Sequence, residues 1–441
     1  MSLACYYALG GLNYKNGFAT SCPQQSDQLQ ILADEYLPSK IINNKNFVQH
    51  RLDLMNNKWP TGCDMCERVE CSNSGTSMRQ EEEVDLTFYN SNGTIDLQGL
   101  KTVEIRFSHS CNMACLHCSQ VFSSGWMSKL KRYNSDNEDR LHNLHQLTGA
   151  MHRKSPDDDL TMSLSTDQAL EIVEDLNSNF PNLERVDFAG GEVLYQKQFF
   201  PTLTKLAEHP NAANMAIMFH SNFNTDFDPK KLSNLLQKFG KSHIMLSIDA
   251  GPRIYPYFRQ GNWHKLKQNI KAFRNANNGA TELNLVCTTG VYQIMELSDV
   301  FEGFLSLDSN HINASIIFTP DYLNPSIMML QHKEFVIQEF LRTRNVIEKV
   351  EETRLNDLKN SMFLNSYVGN YTTHNWSDIE SSKEAVDVIE KYVLNHKAQK
   401  THWDAFMVYI KKTDAIWKQN FNDYMINFKY INGEVIQNVQ N

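Results

Sequence analysis

Three cysteines constrain this chain more than anything else in it. Cys111, Cys115 and Cys118 form a C-x3-C-x2-C run on one short loop, directly after the strand-like segment Thr102-Val103-Glu104-Ile105-Arg106-Phe107. Three thiolates on one loop can ligate three irons of a cubane and leave the fourth iron without a protein ligand, whereas Fe–S clusters ordinarily take four cysteines. An open metal position marks a catalytic site rather than a structural one, as it does for zinc. Zinc motifs usually pair two C-x2-C units, and no second pair follows this triplet. The spacing points to a [4Fe–4S] cluster with one exchangeable iron.

Further turns follow strand-like runs in the same way. Arg185-Val186-Asp187-Phe188-Ala189 leads into Gly190-Gly191-Glu192, about one strand–helix unit after the triplet. Glycines there let the backbone approach a ligand that side chains would block. Ile244-Met245-Leu246-Ser247-Ile248 ends at Asp249 and is followed by Tyr257-Phe258-Arg259-Gln260-Gly261. Together these runs make the chain resemble the radical S-adenosylmethionine (radical SAM) superfamily. The resemblance implies that the open iron chelates the methionyl amine and carboxylate of S-adenosyl-L-methionine (SAM), with Gly190, Gly191 and Glu192 against that end. It assigns Ser247, Asp249 and Arg259 to the ribose and carboxylate, and puts His117 near the adenine. Ser221-Asn222, after the strand Met215–Phe219, matches the family's Thr-Asn step, which makes Asn222 a cofactor contact. No catalytic acid or base is assigned.

The other cysteines are placed unevenly. Cys5, Cys22, Cys63, Cys66 and Cys71 precede the triplet, and Cys287 alone follows it. An odd, uneven set argues for metal ligation in a reducing compartment rather than a disulfide scaffold. Leu12-Asn13-Tyr14-Lys15 and Phe18-Ala19-Thr20 flank Asn16-Gly17, the strongest short hairpin signal. A helix near Phe47–Met55 then precedes Cys63-Asp64-Met65-Cys66. Hairpin, helix and C-x2-C resemble a twitch domain, the short relative of the SPASM domain, placed here ahead of the barrel. That resemblance implies a second, auxiliary [4Fe–4S] cluster on Cys5, Cys22, Cys63 and Cys66. Two alternatives stay open: Cys71 in place of Cys5, or a zinc site built from the pair with Cys22 and Cys71. Cys287 reads as a buried strand residue, since free cysteine packs as a small hydrophobe.

Alternating strand and helix patterns define an α/β chain. Six strand-like runs (102–107, 185–189, 215–219, 244–248, 282–287 and 314–318) separated by helices imply a parallel sheet with right-handed crossovers. The family curls such a sheet into a partial (β/α)6 barrel, with active residues at the strands' C-terminal ends. The expected domains are a twitch-like region 1–100, a barrel 101–325 with a polar insertion at about 127–162, and a helical C-terminal region 326–441. Within the last, Ser381-Ser382-Lys383-Glu384 reads as a capping box, and 402–428 is rich in aromatics that suit a cap over the barrel.

Composition narrows the class. The 441 residues carry a formal charge of -9, so nothing points to a nucleic-acid footprint. No apolar run approaches the ~18 residues of a membrane span. Ser2-Leu3-Ala4-Cys5 lacks the basic and apolar stretches of a secretory signal, so the expected location is cytoplasmic. The expected activity is reductive cleavage of SAM to a 5′-deoxyadenosyl radical that abstracts hydrogen from a peptide or protein side chain. A flavodoxin- or ferredoxin-like reductant is the expected partner. The alternatives are a radical SAM dehydrogenase or epimerase of a small molecule, such as a sugar or alcohol, and a non-catalytic regulatory Fe–S protein.

Overall fold

The computed structural model describes residues 3–15, 18–23, 29–30, 35–71, 77–80, 87–120, 122–138, 163–307, 309–318, 320–365 and 376–438. The N-terminal region comprises α1 (Tyr6–Gly10), β1 (Gly11–Lys15), β2 (Phe18–Thr20), β3 (Leu29–Gln30), α2 (Pro38–Ile41), α3 (Lys45–Met55) and α4 (Asp64–Cys71). A strand–helix series follows: β4 (Thr102–Arg106), α5 (Ser124–Asp136), α6 (Thr166–Asn179), β5 (Arg185–Ala189), α7 (Phe199–Leu206), β6 (Ala216–Ser221) and α8 (Pro229–Leu236). It continues through β7 (Lys241–Ser247), α9 (Tyr255–Phe258), α10 (Trp263–Asn277), β8 (Glu282–Thr289), α11 (Val291–Met295), α12 (Leu297–Leu305) and β9 (His311–Ile316). The C-terminal region holds α13 (Lys333–Asn365), α14 (Ser377–Asn395), α15 (Lys400–Trp417), α16 (Phe421–Tyr424), β10 (Phe428–Ile431) and β11 (Glu434–Gln437).

Strands β4 to β9 pair in chain order, each parallel to the next, as a partial barrel requires. Alternation along them explains the layering. Val103, Ile105, Val186, Phe188, Ile217 and Phe219 are buried in the main core, because successive side chains of a strand point to opposite faces. The other face is polar. Glu104, Asp187, Met218, His243 and Glu282 lie in register across five strands. Two ion pairs run along it, Glu104–Arg106 at 2.5 Å and Arg185–Asp187 at 2.8 Å, and His243 Nδ1 lies 3.0 Å from the Glu282 carboxylate. Burial pushes the Asp187 carboxyl up to about 6, against the pull of Arg185.

Four differences from the sequence reading have local causes. First, β1 pairs parallel with β4, Tyr14 opposite Ile105, so the sheet runs on across the boundary expected near residue 100. Lys15 pairs with Phe18 as the hairpin signal requires, although the Asn16-Gly17 turn itself lies outside the described residues. Second, the last barrel strand starts at His311 rather than Ala314, because polar His311 and Asn313 alternate with buried Ile312. Third, α14 begins at Ser377. Ser381 and Ser382 donate back to the carbonyls of Ser377 and Asp378, both at 2.6 Å, and so sit inside the helix rather than capping it. Fourth, the region expected to be helical ends in the antiparallel β10–β11 hairpin, turned by Asn432 (φ 54°) and Gly433 (φ 90°). Of the polar insertion, residues 127–136 belong to α5, and 139–162 lie outside the described residues.

Leu12 of β1 is fully buried in the main core. Leu12→Ala should therefore cost about 2–5 kcal/mol, the usual range for emptying a buried leucine site. A chemical-denaturation midpoint unchanged from wild type would show that β1 is not part of the cooperative sheet.

Candidate functional site

The cysteine loop leaves β4 at Phe107 and has no regular hydrogen-bond ladder, so its buried backbone groups need other partners. They find them in side chains. Ser123 Oγ donates to the Met113 carbonyl at 2.6 Å, Trp417 Nε1 to Ala114 at 3.1 Å and Trp126 Nε1 to Cys115 at 2.8 Å. Tyr409 Oη donates to Leu116. The Leu116 amide donates to the Phe258 carbonyl at 2.8 Å, and the Cys111 amide to Ser124 Oγ at 3.0 Å. Trp126 and Trp417 meet edge to face at 4.1 Å. The aromatic C-terminal helix α15 is thus bonded to the loop rather than lying over it.

The three thiols are enclosed. Burial pushes all of them up, Cys118 to about 12, while the positive Arg259 pulls the other way. Free, they are thiols, and a metal would have to displace their protons. Cys115 Sγ lies 3.5 Å from the Arg259 carbonyl.

The ends of β5, β6 and β7 converge on this loop. Gly191 has φ 53°, and a Cβ there would overlap the Ser110 carbonyl, one residue before Cys111. The glycine is thus required by the cysteine loop itself, and not solely by access for a ligand. The Glu192 amide donates to that same carbonyl at 2.9 Å, and Gln196 Nε2 donates to the Gly190 carbonyl at 2.7 Å. The buried Glu192 carboxylate accepts from Ser221 Oγ at 2.6 Å, the Asn222 amide at 2.6 Å and the Leu194 amide at 3.1 Å. Asn222 Nδ2 in turn donates to Asn112 Oδ1 at 2.9 Å, inside the triplet. The Glu192 carboxylate therefore ties the end of β6 to the end of β5.

Asp249, at φ 54°, joins three further segments. Its carboxylate accepts from Arg259 at 2.6 Å and from the Thr288 amide at 2.7 Å, and lies 3.6 Å from His117 Nε2. Gln293 Nε2 donates to its carbonyl at 2.7 Å. His117 stacks on Phe258 at 5.0 Å with an interplanar angle of 11°, and burial pushes its pKa down to about 4, so the ring is neutral. Ser247 ends β7 half-buried, without a side-chain hydrogen bond among the described residues. Two buried polar atoms here have no hydrogen-bond partner among the described residues: Arg259 Nε and His117 Nδ1. Such orphans are rare in native interiors, and each calls for an explanation such as strain, a functional role or a bound water or ion.

Away from this site, Cys5 and Cys22 share a small separate core with Tyr7, Ala8, Leu9 and Leu54. Cys5 caps α1, its Sγ accepting from the Ala8 amide at 3.5 Å. Burial, followed by the charges of Cys5 and Cys66, pushes the Cys63 thiol up to about 12, so these three lie within electrostatic reach of one another. Cys71, five residues after Cys66 on α4, is turned about 140° round the helix and exposed. His50, which the sequence reading missed, is buried with Nε2 3.4 Å from Cys63 Sγ and Nδ1 3.3 Å from Ser21 Oγ. Among the described residues, no three His, Cys, Asp or Glu side chains are arranged at ligating distances round one point. Cys287 is fully buried in β8, its Sγ 3.4 Å from Thr289 Oγ1.

Residues 105–293 match the family model of the Radical SAM superfamily, a span that holds the triplet, Gly190–Glu192, Asp249 and Arg259. Residues 105–293 are a radical SAM enzyme region. No curated protein matches the chain. Among solved structures, anSMEcpe with bound AdoMet is 14% identical with a TM-score of 0.36, covering 62% of this chain and 68% of that one. SuiB of Streptococcus suis, bound to its precursor peptide SuiA, is 12% identical with a TM-score of 0.31, covering 57% and 50%. At such scores these likenesses carry no argument about the radical SAM chain's substrate.

Gly191→Ala should lower iron content and SAM binding together, because the added methyl displaces Ser110 and with it Cys111. Iron assay and equilibrium dialysis of SAM would measure both; full iron loading with intact SAM affinity would contradict this packing. Trp417→Phe keeps an aromatic six-membered ring but leaves the Ala114 carbonyl without its donor, which should cost about 1–3 kcal/mol. That loss would be read from a denaturation midpoint.

Proposed function

We propose that Cys111, Cys115 and Cys118 hold a [4Fe–4S] cluster, and that SAM binds beside it against Gly190, Gly191, Glu192, Asn222, Ser247, Asp249, Arg259 and His117. The observation that carries this reading is a pair of buried polar atoms with no partner among the described residues, the Arg259 Nε donor and the His117 Nδ1 ring nitrogen, where strand ends β4 to β7 meet the cysteine loop. When bound, the cluster supplies an electron that cleaves SAM to methionine and a 5′-deoxyadenosyl radical, which abstracts hydrogen from substrate. The protein's part is to bind, orient and exclude water. Glu192 fixes Asn222 through the backbone, Asp249 keeps Arg259 charged and aimed, and neutral His117 offers a flat face and a free ring nitrogen. The three thiols must lose their protons to bind iron, and Arg259 is the nearest positive charge favouring that loss.

The substrate reading is a peptide or protein side chain, which rests on the twitch-like pattern of the first 100 residues. The polar sheet face, with Glu104, Arg106, Arg185, Asp187 and His243, suits a polar reacting group of either a peptide or a small molecule. We place a second [4Fe–4S] cluster on Cys5, Cys22, Cys63 and Cys66. The proximity of Cys5, Cys63 and Cys66 and the outward turn of Cys71 support that ligand set over the alternatives. A flavodoxin- or ferredoxin-like donor remains the proposed reductant. No helix among the described residues is long and apolar enough to cross a membrane.

Anaerobically reconstituted, dithionite-reduced protein should release 5′-deoxyadenosine, and Cys115→Ala should abolish it. Release at the wild-type level from that variant would remove the assignment. Glu192→Ala should weaken SAM binding while iron is retained, because its partners Ser221 and Asn222 do not touch iron. Wild-type protein should carry about eight irons per chain, as two cubanes do. Replacing Cys63 and Cys66 together should bring this to about four. About four irons in wild type with one equivalent of zinc would instead favour a zinc site.

A further inference from the structure

Charge is distributed unevenly along this acidic chain. Residues 229–281 contain ten lysines and arginines against a single aspartate, Asp249, a net of +9 within a protein of net -9. Three of those cations and the aspartate are committed: Arg259 to Asp249 at 2.6 Å, Arg253 to Glu296 at 2.6 Å and Lys265 to Asp226 at 2.8 Å. Lys230, Lys231, Lys238, Lys241, Lys267 and Lys271 are exposed, and none has an ion-pair partner among the described residues. This differs from the arginines of the C-terminal helices, where Arg342, Arg344 and Arg354 all meet carboxylates.

Two of these lysines share one face of α10. Helices α8 and α10 pack side by side, joined by Ser233 Oγ donating to the Ala276 carbonyl at 3.1 Å. On α10, Lys267, Lys271 and Arg274 recur at i, i+4 and i+7, which is one face of a helix. That face borders a cleft of about 630 Å³ whose other polar lining is His264, Gln268, Asn275 and Ser306. Among the described residues, no carboxylate lines it. Like charges at this spacing repel one another and destabilise an isolated helix, so the row is poorly explained as a device for folding.

We propose that the face of α10 bordering this cleft is a docking surface for an acidic segment of a partner protein. The cleft offers cations and amide donors to carboxylates. A membrane fits less well, because none of the exposed large hydrophobic side chains falls within 229–281 and interfacial binding needs apolar insertion. Nucleic acid fits less well too. Single-strand sites combine positive charge with aromatic stacking platforms, and among the described residues no Phe, Tyr or Trp lines the cleft. The rest of the chain, at net -18, would also repel a polyanion longer than the patch. A short acidic segment meets the positive field and avoids the negative one. The surface is close to the reaction site along the chain: α10 starts at Trp263, four residues after Arg259, whose carbonyl meets Cys115 Sγ at 3.5 Å.

The test uses the full chain and a fluorescein-labelled dodecapeptide of alternating Glu and Gly, followed by fluorescence anisotropy at low and physiological salt. Binding should weaken steeply with salt, since exposed charges are screened over about 10 Å at 0.1 M. The double reversal Lys267→Glu/Lys271→Glu should weaken it about tenfold, and Lys267→Gln/Lys271→Gln less. Lys397→Glu, at an exposed position between α14 and α15, should leave it unchanged. Unchanged far-ultraviolet circular dichroism would establish that the variants are folded. Absence of peptide binding to wild type, or an equal loss in the Lys397 variant, overturns the proposal. So does tighter binding of a twelve-nucleotide oligothymidine or of phosphatidylglycerol vesicles, compared at the same ionic strength.

Discussion

Four consecutive carbonyls, those of Met113, Ala114, Cys115 and Leu116, are each taken by a side-chain donor from another part of the chain. A buried loop without a ladder has no other way to satisfy its backbone, and each unpaired group would cost about 1–3 kcal/mol. This requirement organises much of what surrounds the site. Ser123 and Trp126 come from the start of α5, so that helix must begin directly after the cysteines. Tyr409 and Trp417 come from α15, so the C-terminal helices must close over the barrel. Asp414 lies on the same helix and anchors it, accepting from Tyr257 Oη at 2.9 Å and from the Phe421 amide at 2.9 Å.

A second layer of order comes from carboxylates used as internal fasteners. Glu192 holds the ends of β5 and β6 together, and Asp249 joins the ends of β7 and β8 to Arg259. Glu296 does the same between the barrel and the C-terminal tail, accepting from the Ile426 amide at 2.7 Å and from Arg253 at 2.6 Å. Burying a carboxylate is tolerable where donors surround it, and each of these is surrounded. The strand ends are therefore tied by specific hydrogen bonds where apolar packing would not fix their relative height.

Much of this architecture was legible from the chain. Cysteine spacing, the Gly-Gly-Glu turn and the strand before Asp249 each combine a local motif with a strand–turn context, and local patterns of that kind survive folding. The cap at Ser165 is equally local, since both halves of its box lie within four residues, with Gln168 answering Ser165. Partnerships distant in sequence were not legible. No periodicity announces that β1 will pair with β4, that Trp417 will reach Ala114, or that His50 will meet Cys63. One miss was avoidable. Asn432-Gly433 is the same hairpin signal as Asn16-Gly17, but it closes a stretch whose aromatic spacing reads as helix, and that pattern outweighed it. The role of Glu192 was half legible: its place in the motif was clear, but not that its oxygens are engaged with Ser221 and Asn222.

The bond from Trp417 to Ala114 spans 303 positions of sequence, and that from Tyr409 to Leu116 spans 293. A ribosome adding roughly 5–20 residues per second needs about 15–60 s to travel that far. Through that interval the nascent cysteine loop has β4 and α5 beside it, but two of its four carbonyl partners have not been made. The loop thus reaches its final shape only once α15 has been made, and iron that arrives earlier meets an unfinished and more open set of thiols. Synthesis order and cofactor loading are in this way coupled by two hydrogen bonds from a single C-terminal helix.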